Sequence, residues 1–454
     1  MRIALLLALY LALTLLPLAL AWGQGLPARP WLAELSSGLA MAGFALLLAE
    51  FALSGRWRAL SRGVGMDLTM RFHQAMALGA LALLIAHPFL YADYAQRPDH
   101  PAGARLTPAA TVSGLAAWML LLALVYFATL RRSLGWTYET WRLTHGLGAL
   151  ALALAGAHHV LDTGRYAQAP ELRWYWLAAV GLAALSLLRV YVAKPLFQAR
   201  WRVVLVAREA ERLWRLVIEP AGTADFLFRA GQFVWLKLGR ALGRITEHPF
   251  SIASAPGQLP RLQFLIKEAG DFTRAIGSIA PGTPAFVDGP YGNFTREGRE
   301  AEGTLLIAGG VGIAPILCLA RDLAATGDTR PMTIVYADSS EAQLAARGEL
   351  EAICRAPGRE LRLVLGRLLD RDTLRQALPP AGADRWLYFV CGPPAMIDAV
   401  ESSLARLGVP LDRIVSERFV YDTGIATPRE KLTRAALAAV LLVQALAVLA
   451  FSLR

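Results

Sequence analysis

The sequence predicts a multidomain membrane protein. An α-helical transmembrane bundle comes first, then an antiparallel β-barrel, then an α/β domain with a parallel sheet, and last one more transmembrane helix. Three observations carry this. Of the 454 residues, 56% are hydrophobic and 18% charged, whereas soluble domains lie nearer about 45–50% and about 25%, so a large part must face lipid. The apolar residues cluster in runs long enough to cross a bilayer, before residue 195 and again after 433. Between these runs the pattern changes to short strands with Gly and Pro turns, and then to strand–helix alternation.

Six candidate spans come first, at about 3–21, 34–54, 70–92, 108–130, 138–162 and 171–193, and a seventh runs from about 433 to 453. Arg56, Arg58, Arg62 and Arg71 follow the second span, and Arg131, Arg132 and Arg142 follow the fourth. Arg189, Lys194, Arg200 and Arg202 mark the exit from the sixth. The connections at 93–105 and 162–173 mix both signs of charge. The positive-inside rule then places the N-terminus and the soluble half in the cytoplasm, with Arg429, Lys431 and Arg434 starting the last span from that side. Arg2, an apolar run and Ala19-Leu20-Ala21 resemble a secretory signal, but the run is longer than such signals use, which favours a retained span. The formal charge of +11 lies largely beside apolar runs. It therefore reads as topology rather than as a nucleic-acid groove. Cys318, Cys354 and Cys391 offer neither a disulfide framework nor a CxxC metal site, and they suit a reducing, cytoplasmic location.

The domains expected are a transmembrane bundle at 1–195, a β-barrel at 199–298, an α/β domain at 301–422 and the extra span at 433–453. In the barrel region, Arg202–Val206, Leu213–Ile218, Gln232–Leu238 and Leu262–Ile266 read as strands. In the α/β region, Thr304–Ala308, Met332–Tyr336, Leu361–Leu365 and Trp386–Val390 are strands, each followed by a helix.

The histidines point to chemistry inside the bilayer. His73 and His87 lie 14 residues apart on the third span; His145 lies on the fifth, with His158 and His159 13 and 14 residues beyond. Each separation is roughly 20 Å of helix. The two helices run in the same direction, so His73 is level with His145, and His87 with His158 or His159. Two imidazoles facing each other at one depth can ligate a haem iron axially, and two such levels make two stacked haems. A single intramembrane His serves equally well as a hydrogen-bonding residue between helices, but four at matched depths favour ligation. No Cys or carboxylate completes a zinc or copper site beside them. Ideal helix geometry favours His159, because fourteen residues return to within about 40° of the starting face; a bend or π-bulge would favour His158. His100, in a polar loop, reads as solvated.

The soluble half carries a second set of motifs. His248-Pro-Phe-Ser-Ile-Ala-Ser-Ala-Pro256 follows the strand Gly231–Leu238. Lys267, then Gly270-Asp-Phe-Thr273, then Asp288-Gly-Pro-Tyr-Gly-Asn-Phe294 come later. Hydroxyls and an aromatic at a strand end, followed by Gly turns with exposed N–H groups, suit an aromatic ring system and a pyrophosphate; taken singly, each is ordinary turn chemistry. Thr304-Leu-Leu-Ile-Ala-Gly-Gly-Val-Gly-Ile-Ala-Pro315 is strand, Gly loop and helix start, a phosphate-binding arrangement when it stands in this context. Phe389-Val-Cys-Gly-Pro-Pro-Ala-Met396 ends a later strand at the same sheet edge.

With these residues in view, the chain resembles the ferric reductase and NADPH oxidase superfamily over about residues 1–422. Its soluble half looks like the ferredoxin–NADP reductase fold. The likeness rests on Phe72-His73, Thr144-His145, the HPFSIASAP, GDFT, DGPYGNF, GGVGIAP and CGPPAM segments, and Glu417-Arg-Phe419. It implies an NAD(P)H-dependent enzyme that passes hydride to FAD, and then single electrons through two b-type haems to an extracytoplasmic acceptor such as a ferric chelate. The resemblance puts His248, Pro249, Phe250 and Ser251 on the flavin ring, and Lys267, Gly270 and Thr273 on the rest of FAD. It assigns Gly309, Gly310, Gly312 and Pro315 to the nucleotide phosphates and Cys391, Gly392 and Pro393 to the nicotinamide. Phe419 or Tyr421 would cover the flavin, so that Cys391 and Phe419 flank the hydride transfer. The haem ligands it implies are His73, His145, His87 and, by the spacing seen in similar members, His158, with His159 the geometric alternative. The membrane expected is a bacterial inner membrane.

Three departures qualify this. Where many relatives place an Arg for a 2′-phosphate, this chain has Ala337-Asp-Ser-Ser340, which opens the site to NADH. Superoxide-forming relatives carry a further His where this chain has Tyr91, so an oxidase is the alternative reading rather than the first. Relatives usually end near the Glu-Arg-Phe segment, so the seventh span is an addition: an anchor, a contact in a homo-oligomer, or a contact with a membrane partner. A relay subunit serving a partner protein is the rival from another class.

Overall fold

The computed structural model describes residues 2–54, 57, 66–95, 107–131, 133–163, 165–197, 199–223, 225–239, 247–417 and 428–454. His100, Phe419 and Tyr421 lie outside these residues, as do Arg56, Arg58, Arg62 and Arg132 among the arginines used for topology. The chain forms two compact units.

The first unit is the helical bundle: α1 (Arg2–Gly23), α2 (Trp31–Ser54), α3 (Met66–Ala95), α4 (Pro108–Leu130), α5 (Tyr138–Thr163), α6 (Pro170–Leu188) and the last helix of the chain, α11 (Pro428–Ser452). Among the described residues, six of these are long and apolar enough to cross a membrane. The exception is α5, which the sequence counts as a span. Its 26 residues exceed the ~20 needed, but Glu139, Arg142, Asp162 and three histidines dilute its apolar character.

Helix α2 is the inner post of the bundle. Its apolar stretch is 61% buried, against 11–28% for the other five. Small residues bring its neighbours close, as membrane helices without a hydrophobic driving force require. A methyl added at Gly43 would lie 2.6 Å from Leu84 Cγ of α3, and one at Gly38 3.2 Å from Val448 and Phe451 of α11. Helix α11 is thus packed into the bundle, with Leu441 over Gly79 of α3 and Gln444 Nε2 donating to Thr14 Oγ1 of α1 at 2.6 Å. At one end a fully buried carboxylate, Glu34, gathers Arg29 at 3.2 Å, Arg165 at 3.2 Å, Arg454 at 3.7 Å and the Tyr166 hydroxyl.

The second unit holds two sheets. The first is antiparallel: β1 (Arg200–Ala210), β2 (Leu213–Pro220), β3 (Phe233–Leu238), β4 (His248–Ser251), β5 (Leu262–Lys267) and β6 (Pro284–Tyr291), in the order β4-β3-β6-β1-β2-β5. Among the described residues its ends meet at the isolated bridge between Ile252 and Phe264 and the adjoining bond from Ala253 N to Gln263 O, so the predicted barrel is a half-barrel. The Asp288–Tyr291 stretch, read from its glycines as a turn, is the end of β6 and pairs with β3. Backbone pairing on a sheet face outweighs the turn preference of an isolated Gly-Pro.

The second sheet is parallel: β7 (Thr304–Gly309), β8 (Met332–Asp338), β9 (Arg359–Leu365), β10 (Leu387–Cys391) and β11 (Ile414–Ser416), in the order β11-β10-β7-β8-β9. Helices α7 (Ile313–Ala325), α8 (Arg347–Ile353), α9 (Arg371–Ala377) and α10 (Pro394–Arg406) connect them. The strand order reverses between β7 and β10. That opens the crevice where such sheets bind ligands. Three-residue β11 is too short to announce itself in the sequence.

Candidate functional sites in the two units

Helix α5 is α-helical throughout, with no π-bulge to turn its register. His158 therefore lies on the exposed face of α5, its Nδ1 3.0 Å from Ser113 Oγ of α4. The structure sets His159, not His158, against His87. Their ring centres are 6.3 Å apart and the planes cross at 74°. Two imidazoles sharing one metal ion through bonds of about 2 Å have ring centres about 6 Å apart. Both rings are anchored by Nδ1: His87 to Ser36 Oγ at 2.9 Å and Ser36 O at 3.0 Å, His159 to Ala110 O at 2.9 Å. Nε2 is then the nitrogen left to coordinate. Gly114 makes room for this ring, since a methyl there would lie 2.5 Å from His159 Nδ1.

At the other level, His73 Nδ1 is 2.8 Å from Glu50 Oε2, and Tyr10 Oη donates to Glu50 Oε1 at 2.9 Å. His145 stands within electrostatic reach of His73. It lies over Trp141, with ring centres 5.4 Å apart, and lines a groove with Leu124, Phe127, Trp136 and Gly148. Among the described residues, no three His, Cys, Asp or Glu side chains converge on one point. His87 and His159 thus stand as a pair of imidazoles, whereas His73 and His145 are linked by electrostatic reach alone.

In the second unit, β3 pairs Trp235 with Pro249 and Leu236 with His248, which fixes the His248–Ser251 segment along a sheet edge. His248 packs on Phe272 with ring centres 4.2 Å apart, and Phe250 stacks over Phe272 at 6.1 Å. These rings build an aromatic wall suited to a planar flavin. Thr273 Oγ1 accepts from Ala269 N and Gly270 N at 2.8 and 2.9 Å, so the hydroxyl closes the turn locally. Lys267, expected on FAD, stands beside the nucleotide turn: its Nζ is 3.9 Å from where a Gly310 Cβ would be, and Asp338 Oδ2 is 4.0 Å from the same point.

That turn is tight for definite reasons. Gly310 has φ +54°, and a methyl at Gly312 would lie 2.2 Å from the Cys391 carbonyl oxygen. The ladder sets Ala308 beside Cys391, so the two Gly-rich loops face each other across the crevice. Burial pushes the Cys391 thiol well above its ordinary pKa, with the Glu417 carboxylate adding to the effect. Cys391 is therefore a neutral, compact wall rather than a nucleophile. Cys318 is structural: its thiol donates to Ser254 O at 2.9 Å, and burial pushes its pKa up to about 12.

Sequence reading missed Tyr10, Ser36 and Glu50. A signal existed, because Ser36 and Glu50 are 14 residues apart, the same interval as His73 and His87.

Comparisons with known proteins agree with this division. Residues 39–156 match the family described as "Ferric reductase like transmembrane component", 216–295 an FAD-binding domain and 306–402 an oxidoreductase NAD-binding domain. The reductase component of propane 2-monooxygenase from Mycolicibacterium goodii is 26% identical over 50% of this chain and 68% of its own length. Ferredoxin–NADP reductase B of Sorangium cellulosum is 29% identical over 50% of this chain and 98% of its own. The flavohem-like FAD/NAD-binding domain of nitric oxide dioxygenase from Vibrio cholerae is 21% identical, covering 49% of this chain and 99% of that domain, with a TM-score of 0.43.

Proposed function

Because the chain has the domain set of the ferric reductase and NADPH oxidase superfamily, we propose that it carries electrons from cytoplasmic NAD(P)H through FAD and two b-type haems to an acceptor beyond the membrane, such as a ferric chelate. The single observation that carries this reading is the His87–His159 pair, two anchored imidazoles at metal-bridging separation on different helices. Bound FAD would turn a hydride donor into single electrons, and bis-histidine haems would relay them.

The chain's own residues do the rest. The turn at Gly309, Gly310 and Gly312 receives the dinucleotide phosphates at the start of α7, with Lys267 supplying positive charge beside it. Asp338 accepts from Ser339 N at 2.8 Å and presents its second oxygen towards Gly310. A carboxylate there bonds ribose hydroxyls and repels a 2′-phosphate, which favours NADH over NADPH. The neutral Cys391 and the aromatic wall of His248, Phe250 and Phe272 hold the two rings out of water. In the bundle, His73 with His145 and His87 with His159 are the residues that would hold two haems, which would supply one-electron carriage between the two levels.

The test uses the purified chain loaded with FAD and haem, without oxygen. NADH should reduce both haems, faster than NADPH does, and a ferric chelate should reoxidise them. Faster reoxidation by oxygen would make the chain an oxidase. Haem reduction only when a second protein is added would replace the enzyme reading with that of a relay subunit.

A further inference from the structure

We propose that α2 sets the order of the two haem potentials, Glu50 lowering that of the His73 level and Ser36 leaving that of the His87 level higher. This rests on the haem reading above and adds to it a direction of flow built into the bundle. Helices α2 and α3 are antiparallel, and their partners match at both levels: Glu50 meets His73, and Ser36 meets His87. The equal 14-residue intervals make α2 a second rail that orients both rings of α3.

The two partners differ in kind. With Nε2 on a metal, Nδ1 carries the proton and acts as donor. His73 gives that proton to a carboxylate oxygen at 2.8 Å, buried in the bundle. His87 gives its own to a neutral carbonyl and hydroxyl. A carboxylate draws on the Nδ1 proton and makes the imidazole a stronger electron donor. In a low-dielectric interior its charge also favours the oxidised, more positive iron. Both effects stabilise the oxidised form at the His73 level. A neutral partner does this weakly, so the potential rises from the first level to the second.

Chain connectivity gives this a sense. The chain leaves the bundle after α6, and Arg189, just past the end of that helix, lies 4.1 Å over the ring of Trp57, which precedes α3 and so marks the end of the bundle near His73. On the electron-transfer reading, the lower potential therefore lies at the end of the bundle from which the chain continues into the second unit. Tyr10 tempers the carboxylate by donating to its other oxygen, and the Tyr10 ring is fixed edge-on against Phe72 at 4.8 Å.

The experiment is an optical redox titration of the haem-loaded chain, with haem content measured first. Glu50→Gln should keep two haems per chain and raise the lower midpoint by about 59 mV or more, a tenfold shift of the equilibrium between the haems, while the upper midpoint stays put. Glu50→Asp should restore part of the difference. Tyr10→Phe should act in the opposite sense and lower the same midpoint, because the carboxylate loses a competing donor. Two haems with neither midpoint moved, or with the upper one moved instead, overturns the proposal and leaves the haem reading intact. If Glu50→Gln loses a haem, Tyr10→Phe decides alone: a downward shift supports the proposal, and no shift or an upward one overturns it. Fewer than two haems in the unmodified chain would instead sink the haem reading itself.

Discussion

The reductase unit holds its candidate site on loops at the carboxyl edge of a parallel sheet, whereas the bundle holds its own on helix faces in its interior. A loop site needs particular backbone shapes, so its glycines and prolines stand together in the sequence as a motif. A helix site needs side chains that meet across different helices, and its partners are scattered. Gly310 at φ +54° and Gly312 against the Cys391 carbonyl belong to the first kind. Glu50, Ser36 and Ala110, each bonded to a histidine 23 to 51 residues away, belong to the second.

The largest effect expected is on the helix side. His159→Ala should remove one of two haems, whereas His158→Ala should leave both, as read by the absorbance of extracted haem per chain. Loss of a haem in the second variant and not in the first would mean that motif spacing outranks helix geometry in this bundle. The same logic singles out Gly114, whose missing side chain admits the His159 ring.

The legibility of the fold follows the same line. Strands β1, β2, β5, β7 and β8 lie where alternation and turn residues put them, to within a few residues. The short β4 and β11, and β6 with its Gly-Pro, were hidden because pairing partners far along the chain make them strands. In the bundle, apolar length marked every helix but α5, whose charges and histidines dilute it, and it said nothing of which face each one buries. The regular α5 sets His159 beside His87, the side that ideal helix geometry favours. The family spacing pointed the other way. The position of Lys267 was illegible for a different reason: it lies on one sheet and acts beside a turn of the other.

A smaller effect is expected on the loop side. Gly312→Ala puts a methyl against a backbone oxygen that cannot rotate away, so the strand ends must part. Overpacking of this sort costs about 1–3 kcal/mol. The variant should reduce its flavin more slowly with NADH, while dithionite still reduces the haems fully. Unchanged NADH kinetics would show that the two Gly-rich loops are not held together as rigidly as the ladder between β7 and β10 suggests.

The smallest effect tests whether polar contacts hold the added helix α11. Gln444 is fully buried and donates to Thr14 Oγ1, yet its Oε1 has no hydrogen-bond partner. Gln444→Leu removes one interhelical hydrogen bond, worth about 0.6 kcal/mol on average within a membrane. It also removes an unsatisfied buried acceptor, which costs about 1–3 kcal/mol while it stays unmet. The second effect is the larger, so the thermal midpoint of the haem absorbance should hold or rise slightly. Gly38→Leu should move it far more, because the larger side chain must displace Val448 and Phe451, which are packed directly on Gly38. A large loss from Gln444→Leu would invert that order, and α11 would then be joined to the bundle as His73 and His87 are joined to α2, by a specific polar contact rather than by close packing.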